Sequence, residues 1–129
     1  MMQYYEGLTF SEFKEGMNQL FQELVNNIVK LKVISKEDIV GSFKVINDKS
    51  VNYIGQFTYL PSNGQRDLKV NFYQLHEIYK DVFLKKGVLF EDFCKIIIFH
   101  ELGHAIDFNS CKVQEKPLHS FTNELACTL

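Results

Sequence analysis

The sequence predicts a small α+β domain, and three observations carry that expectation. An apolar stripe with three- and four-residue steps runs over roughly 10–32. Short segments rich in β-branched and aromatic residues follow it, up to about residue 72. Two more helical stripes then occupy the stretch from Gln74 to about Phe108. With a last short segment that also reads as helical, the order is helix, strands, helix, helix, terminal helix, the pattern of an α+β domain.

The first helix has a start signal. Thr9 and Glu12 stand at capping-box spacing. Phe13, Met17, Leu20, Phe21, Leu24, Val25, Ile28 and Leu31 follow as one core-facing stripe. "IVGSFKVI", "VNYIGQFTYL" and "DLKVNFY" then read as strands. Pro61-Ser62-Asn63-Gly64 separates the last two as a turn, which makes 51–72 a hairpin. Gly55 inside a strand suggests a bulge or an edge. From Gln74 to about Lys86, Leu75, Ile78, Tyr79 and Val82 share one side, and Gly87 is the expected stop. Glu91 and Asp92 suit the first turn of the next helix. Phe93, Ile96, Ile97 and His100 continue its stripe. "FTNELACTL" reads as a terminal helix.

The 129 residues are expected to form one domain, 1–129, with no repeats or linkers. Twelve Phe and six Tyr point to an aromatic core. A net charge of -2 gives no electrostatic case for nucleic acid or an anionic membrane. Cys94, Cys111 and Cys127 contain no CxxC pair and read as reduced thiols. No basic region followed by an apolar run marks a signal peptide, and "IIIF" is far shorter than the roughly 20 residues of a membrane span. The expected setting is cytoplasmic.

The chemistry concentrates in "FHELGHAID". On a helix, His100 and His104 lie one turn apart on the same face, so two imidazole nitrogens can meet one tetrahedral ion. Glu101 is about 100° around the helix from His100 and can face the open side of that ion without being a ligand. It is placed to take a proton from metal-bound water and to return it to a leaving amine. Gly103 costs on the order of 1 kcal/mol against Ala in mid-helix, which suggests a close neighbour there.

A catalytic zinc site needs a third protein ligand. Gly and His at 107 and 110 would mark a metzincin-like site, but the chain has Asp107 and Ser110. His119, Asp107 and Glu124 remain as candidates. Glu124 is the strongest, because 20 residues after His104 the chain has room to reverse and bring a new helix alongside.

"HELGHAID" followed by "NELACTL" resembles the gluzincin zinc peptidases, and among small ones the ImmA/IrrE family and the minigluzincins. The resemblance covers about 50–129 in outline and is specific at 100–104 and 123–126. It implies a zincin-like domain: an N-terminal helix, a short mostly antiparallel sheet, the HExxH helix and a Glu-bearing C-terminal helix. It further implies zinc held by His100, His104 and Glu124, with Glu101 as general base and Asn123 orienting one histidine. Thr128 stands where thermolysin-like enzymes have Asp. An edge strand that pairs with an extended peptide is also implied, here "VNYIGQFTYL" or "DLKVNFY". Tyr59, Tyr73 and His119 are the candidate donors to an oxyanion.

The expected function is therefore zinc-dependent endopeptidase action on a protein or peptide. The alternative is a catalytically weak or latent metal-binding regulatory module that holds a partner protein, latency arising if residues 1–8 cover the cleft.

Overall fold

The computed structural model describes residues 3–31, 41–60, 62–113 and 125–128, with side chains as far as Ala105. Helix α1 spans Phe10–Lys30, and both halves of its capping box form. The Glu12 amide donates to Thr9 Oγ1 at 3.2 Å and the Thr9 amide donates to Glu12 Oε1 at 3.2 Å, so two otherwise orphaned N–H groups are satisfied. Phe13, Met17, Leu20, Phe21, Leu24 and Val25 are buried, as the stripe predicts.

Strands β1 (Ser42–Ile46), β2 (Gly55–Leu60), β3 (Gln65–Asn71) and β4 (Leu125–Thr128) form one sheet in the order β1-β3-β2-β4. The β2–β3 hairpin closes through Gly64, whose φ of 71° suits a residue without Cβ, while Asn63 Oδ1 accepts from the Gln65 amide at 2.9 Å. β1 pairs with β3 in parallel; the β2–β3 and β2–β4 pairings are antiparallel, so the sheet is mostly antiparallel.

A fully buried asparagine steers the chain from β1 into β2. Asn71 Oδ1 accepts from the Asp48 amide at 3.0 Å, and Nδ2 donates to the carbonyls of Asp48 at 2.9 Å and Val51 at 3.1 Å. The Asn71 amide donates to Ile54 at 2.8 Å. Asp48 in turn accepts from the amide and hydroxyl of Ser50, and those two bonds hold its carboxyl below the usual range. The end of β3 therefore fixes the loop that delivers Gly55 to its place.

Helix α2 (Phe72–Ile78) continues into a wide π turn, Tyr79–Phe83, and a 3-10 turn, Leu84–Lys86, which Gly87 ends with φ 74°. The wide turn moves the inward position along the chain. Val82, expected inside, is exposed, and Phe83 packs on Phe93 with ring centroids 4.7 Å apart. The Tyr79 hydroxyl donates to the Val88 carbonyl at 2.6 Å and ties this segment to the start of helix α3, Phe90–Val113.

Along α3 the buried residues are Phe90, Phe93, Cys94, Ile97, Ile98, Glu101, Leu102 and Ala105. This stripe is offset from the expected one: Ile96 and His100 face outward, and Glu101 takes a core position. Cys94 is a free thiol enclosed in the core, and burial pushes its pKa up. No helix among the described residues is long and apolar enough to cross a membrane.

The structure corrects two expectations about the sheet and the final segment. Residues 125–128, read as part of a terminal helix, form strand β4; Gln56 to Tyr59 of β2 offered it an open ladder of main-chain donors and acceptors. For the same reason neither β2 nor β3 is an edge: β4 and β1 flank them.

Replacing Asn71 by Ala should cost about 2–4 kcal/mol, because three side-chain bonds are lost and the Asp48 amide is left unpaired, while the Val51 carbonyl keeps its bond from Gln74 Nε2 and the Asp48 carbonyl a long one from the Val51 amide. Urea unfolding measures this; a loss below about 1 kcal/mol would mean that the loop is held by something else.

Candidate metal centre

Helix α3 brings His100 and His104 together. Their Nε2 atoms lie 3.1 Å apart, with ring centroids at 4.7 Å and ring planes at 82°. Two nitrogens each about 2.0–2.1 Å from one tetrahedral ion stand about 3.3 Å apart, so the pair has the spacing of two ligands. The same spacing suits an N–H···N bond between imidazoles of opposite tautomer, which is how the pair is satisfied without an ion.

Glu101 is the residue the fold treats most unusually. Buried polar residues among those described are Thr58, Asn71 and Glu101. Asn71 is fully hydrogen-bonded and Thr58 reaches the Asp67 carbonyl at 3.5 Å. Neither carboxylate oxygen of Glu101 has a hydrogen bond of normal geometry. Burial pushes its pKa up to about 7, and a weak interaction with the Phe57 backbone offsets only part of that. A dication beside it would act in the opposite direction and favour the carboxylate.

The residue that makes room for Glu101 is Gly55. A Cβ there would stand 3.3 Å from Glu101 Cγ and from Ile97 Cγ2, and 3.4 Å from Glu101 Oε1. The glycine lets the His-Glu turn of α3 press against β2. The notion of a bulge or an edge missed this role; the available signal was a glycine in a strand otherwise built of large residues, which also marks a close approach. Gly103 shows the converse. Among the described residues it has no close neighbour: a Cβ there meets none of their atoms within 4 Å.

Strand alternation puts Phe57 and Tyr59 on the same face of β2 as Gly55. Tyr59 is buried, with the Arg66 guanidinium 5.4 Å from its ring centroid. Of the three candidate oxyanion donors it alone stands on the strand that packs on α3. Tyr73 belongs to α2, and His119 lies outside the described residues.

Glu124 and Asn123 also lie outside the described residues, and Asp107 lies in α3 with its side chain outside them. Among the described residues no cluster of three His, Cys, Asp or Glu side chains forms. Thr128 is in β4, so the helical spacing that would have set it one turn from Glu124 does not hold.

Residues 3–8 pack elsewhere. The Tyr4 ring lies 5.1 Å from Tyr79 and 5.6 Å from Phe90, at the N-terminal end of α3 and ahead of the histidines at its middle. Ten residues of helix separate Phe90 from His100, about 15 Å. A groove of about 550 Å³ beside this segment is lined by Glu12, Glu15, Glu23 and Glu91 and is likewise remote from His100.

No family model matches the chain, and neither a curated protein nor a solved structure does.

Gly55→Val should cost about 1–3 kcal/mol, because its side chain must displace Glu101 and Ile97. Gly103→Ala should instead stabilise by up to about 1 kcal/mol. Thermal melts of the two variants should therefore move in opposite directions; a shift of the same sign in both would contradict the packing described.

Proposed function

We propose that this chain is a zinc-dependent endopeptidase of gluzincin type, with His100, His104 and Glu124 as metal ligands and Glu101 as general base. The observation that supports it most is the Nε2 pair at 3.1 Å on a helix whose intervening glutamate is buried without a normal hydrogen-bond partner. The donor set suits zinc, which binds imidazole nitrogen and carboxylate oxygen. Zinc held there would supply a Lewis acid and an activated water.

The remaining work falls to the chain's own groups. His100 and His104 are presented one turn apart by a helix anchored through Ile97, Ile98 and Leu102, so the ligand pair is held rigidly. Glu101 receives the proton of the attacking water on one carboxylate oxygen and hands it to the nitrogen of the departing amine. A carboxyl raised to about 7 by burial can do both near neutral pH. Tyr59 is the candidate donor to the developing oxyanion.

A second reading, a metal-binding regulatory module that holds a partner protein, draws support from the enclosure of Glu101 and from β4 on the edge of β2. Hydrolysis separates the two.

Purified protein should carry about one zinc per chain by mass spectrometry. Glu101→Gln should retain the metal and lose peptide hydrolysis by about 10²-fold or more. Persistent cleavage by that variant would remove Glu101 from the mechanism. Glu124→Ala should weaken zinc binding by more than the about 10–100-fold typical of an outer-sphere partner; unchanged affinity would exclude it as the third ligand.

A further inference from the structure

Of the 14 lysines and arginines in the chain, Arg66 is the only arginine. It stands opposite Tyr59 in the β2–β3 register, and opposed residues share a face of the sheet. That face is the one turned towards α3. On β2 and β3 it otherwise carries Gly55, Phe57, Tyr59, Leu68 and Val70. The one charge on a largely apolar face therefore stands in the same column of residues as the Glu101 contact. From Gly55 to Tyr59 is at most about 13 Å of strand.

The Arg66 side chain is half-buried and lies over the Tyr59 ring, 5.4 Å from its centroid. Its Nε is buried and has no hydrogen-bond partner, and no carboxylate among the described residues forms an ion pair with it. Asp67, next in the chain, accepts instead from Ser42 at 2.6 Å and from Gln65 at 2.8 Å. A buried donor without a partner is rare enough to need a reason. Stacking on an aromatic ring orients the guanidinium plane and leaves its N–H edge for a planar partner. Lysine would bring the same charge, but only the guanidinium fork matches both oxygens of a carboxylate.

We infer that Arg66, seated on Tyr59, is a subsite for a carboxylate of a peptide ligand, borne by an acidic side chain or by the chain terminus. The subsite itself rests on Arg66 and Tyr59. Its use in catalysis rests on the peptidase reading, which it deepens: substrates are selected for a carboxylate within a few residues of the bond presented to Glu101.

A chain with one arginine gives one Nε–H peak in a proton–nitrogen correlation spectrum, so the group can be watched directly. Three peptides are the probes. Acetyl-AAAAE-amide carries a side-chain carboxylate only, acetyl-AAAAA a terminal carboxylate only, and acetyl-AAAAQ-amide neither. One or both of the first two should move the Arg66 peak saturably while the third leaves it in place, and the peptide that acts names the source of the carboxylate. No saturable movement with either carboxylate, equal movement with the Gln peptide, or a response confined to inorganic phosphate overturns the inference.

Calorimetric titration gives a second reading. Arg66→Lys, which keeps the charge and loses the fork, should bind the active peptide about tenfold more weakly than the parent. Unchanged affinity overturns the inference; the spectrum of the parent chain tests it even if this variant does not fold. Cleavage of fluorescein-labelled casein, measured alongside, separates the subsite from the peptidase reading. Peptide binding at Arg66 by a chain that cleaves no casein sinks the peptidase reading and leaves the subsite standing. Cleavage by a chain whose Arg66 peak stays still does the reverse.

Discussion

The contact between Gly55 and Glu101 is the constraint from which the rest of the structure follows. A carboxylate is buried against a strand, and the strand accommodates it by having no side chain at that position. A side chain at 55 would press on Glu101 and Ile97, which would have to give way. The loop that delivers Gly55 is pinned by Asn71, itself at the end of β3. Sheet, loop and helix are thus fitted around one pair of residues.

Burying a carboxyl without a good partner works against stability, and cores avoid it. The α3 stripe makes the position plain: Ile97, Ile98, Leu102 and Ala105 are its other buried residues there, and an apolar side chain at 101 would continue it with advantage. Glu101 holds that position with a pKa pushed up to about 7, next to two histidines whose nitrogens converge. Residues with perturbed protonation beside metal-binding groups are what proton transfer at a hydrolytic site requires. A structural role gives no comparable reason for the choice of glutamate.

Much of this was legible in the sequence where local signals agree. The capping box and seven-residue rhythm of α1, the Asn63-Gly64 turn and the His-Glu-x-x-His spacing each follow from chain geometry over a few residues. What escaped depends on contacts between distant segments. Periodicity placed Ile96 and His100 on the α3 stripe, whereas packing against β2 rotates the buried face to Ile97, Ile98 and Glu101. Val82 was displaced by a π turn that no local pattern announces. "LACT" has no strong strand preference; it is a strand because β2 has an edge to fill. Gly103 and Gly55 show the limit most clearly: Gly103 suggests a close approach and has none among the described residues, whereas Gly55, read as a bulge or an edge, has one.

The pairing of β4 also changes what the His-Glu turn of α3 can be asked to do. Gln56, where the β4 pairing ends, adjoins Gly55, where Glu101 packs. One peptide unit therefore links the edge that pairs with β4 to the face that buries Glu101. A one-residue slip of the strand on that edge exchanges the slipping strand's own two faces, while β2 keeps Gly55 turned towards α3. The face that buries Glu101 and the edge that pairs with β4 thus belong to one strand, and a change in either bears on the other through Gly55 and Gln56.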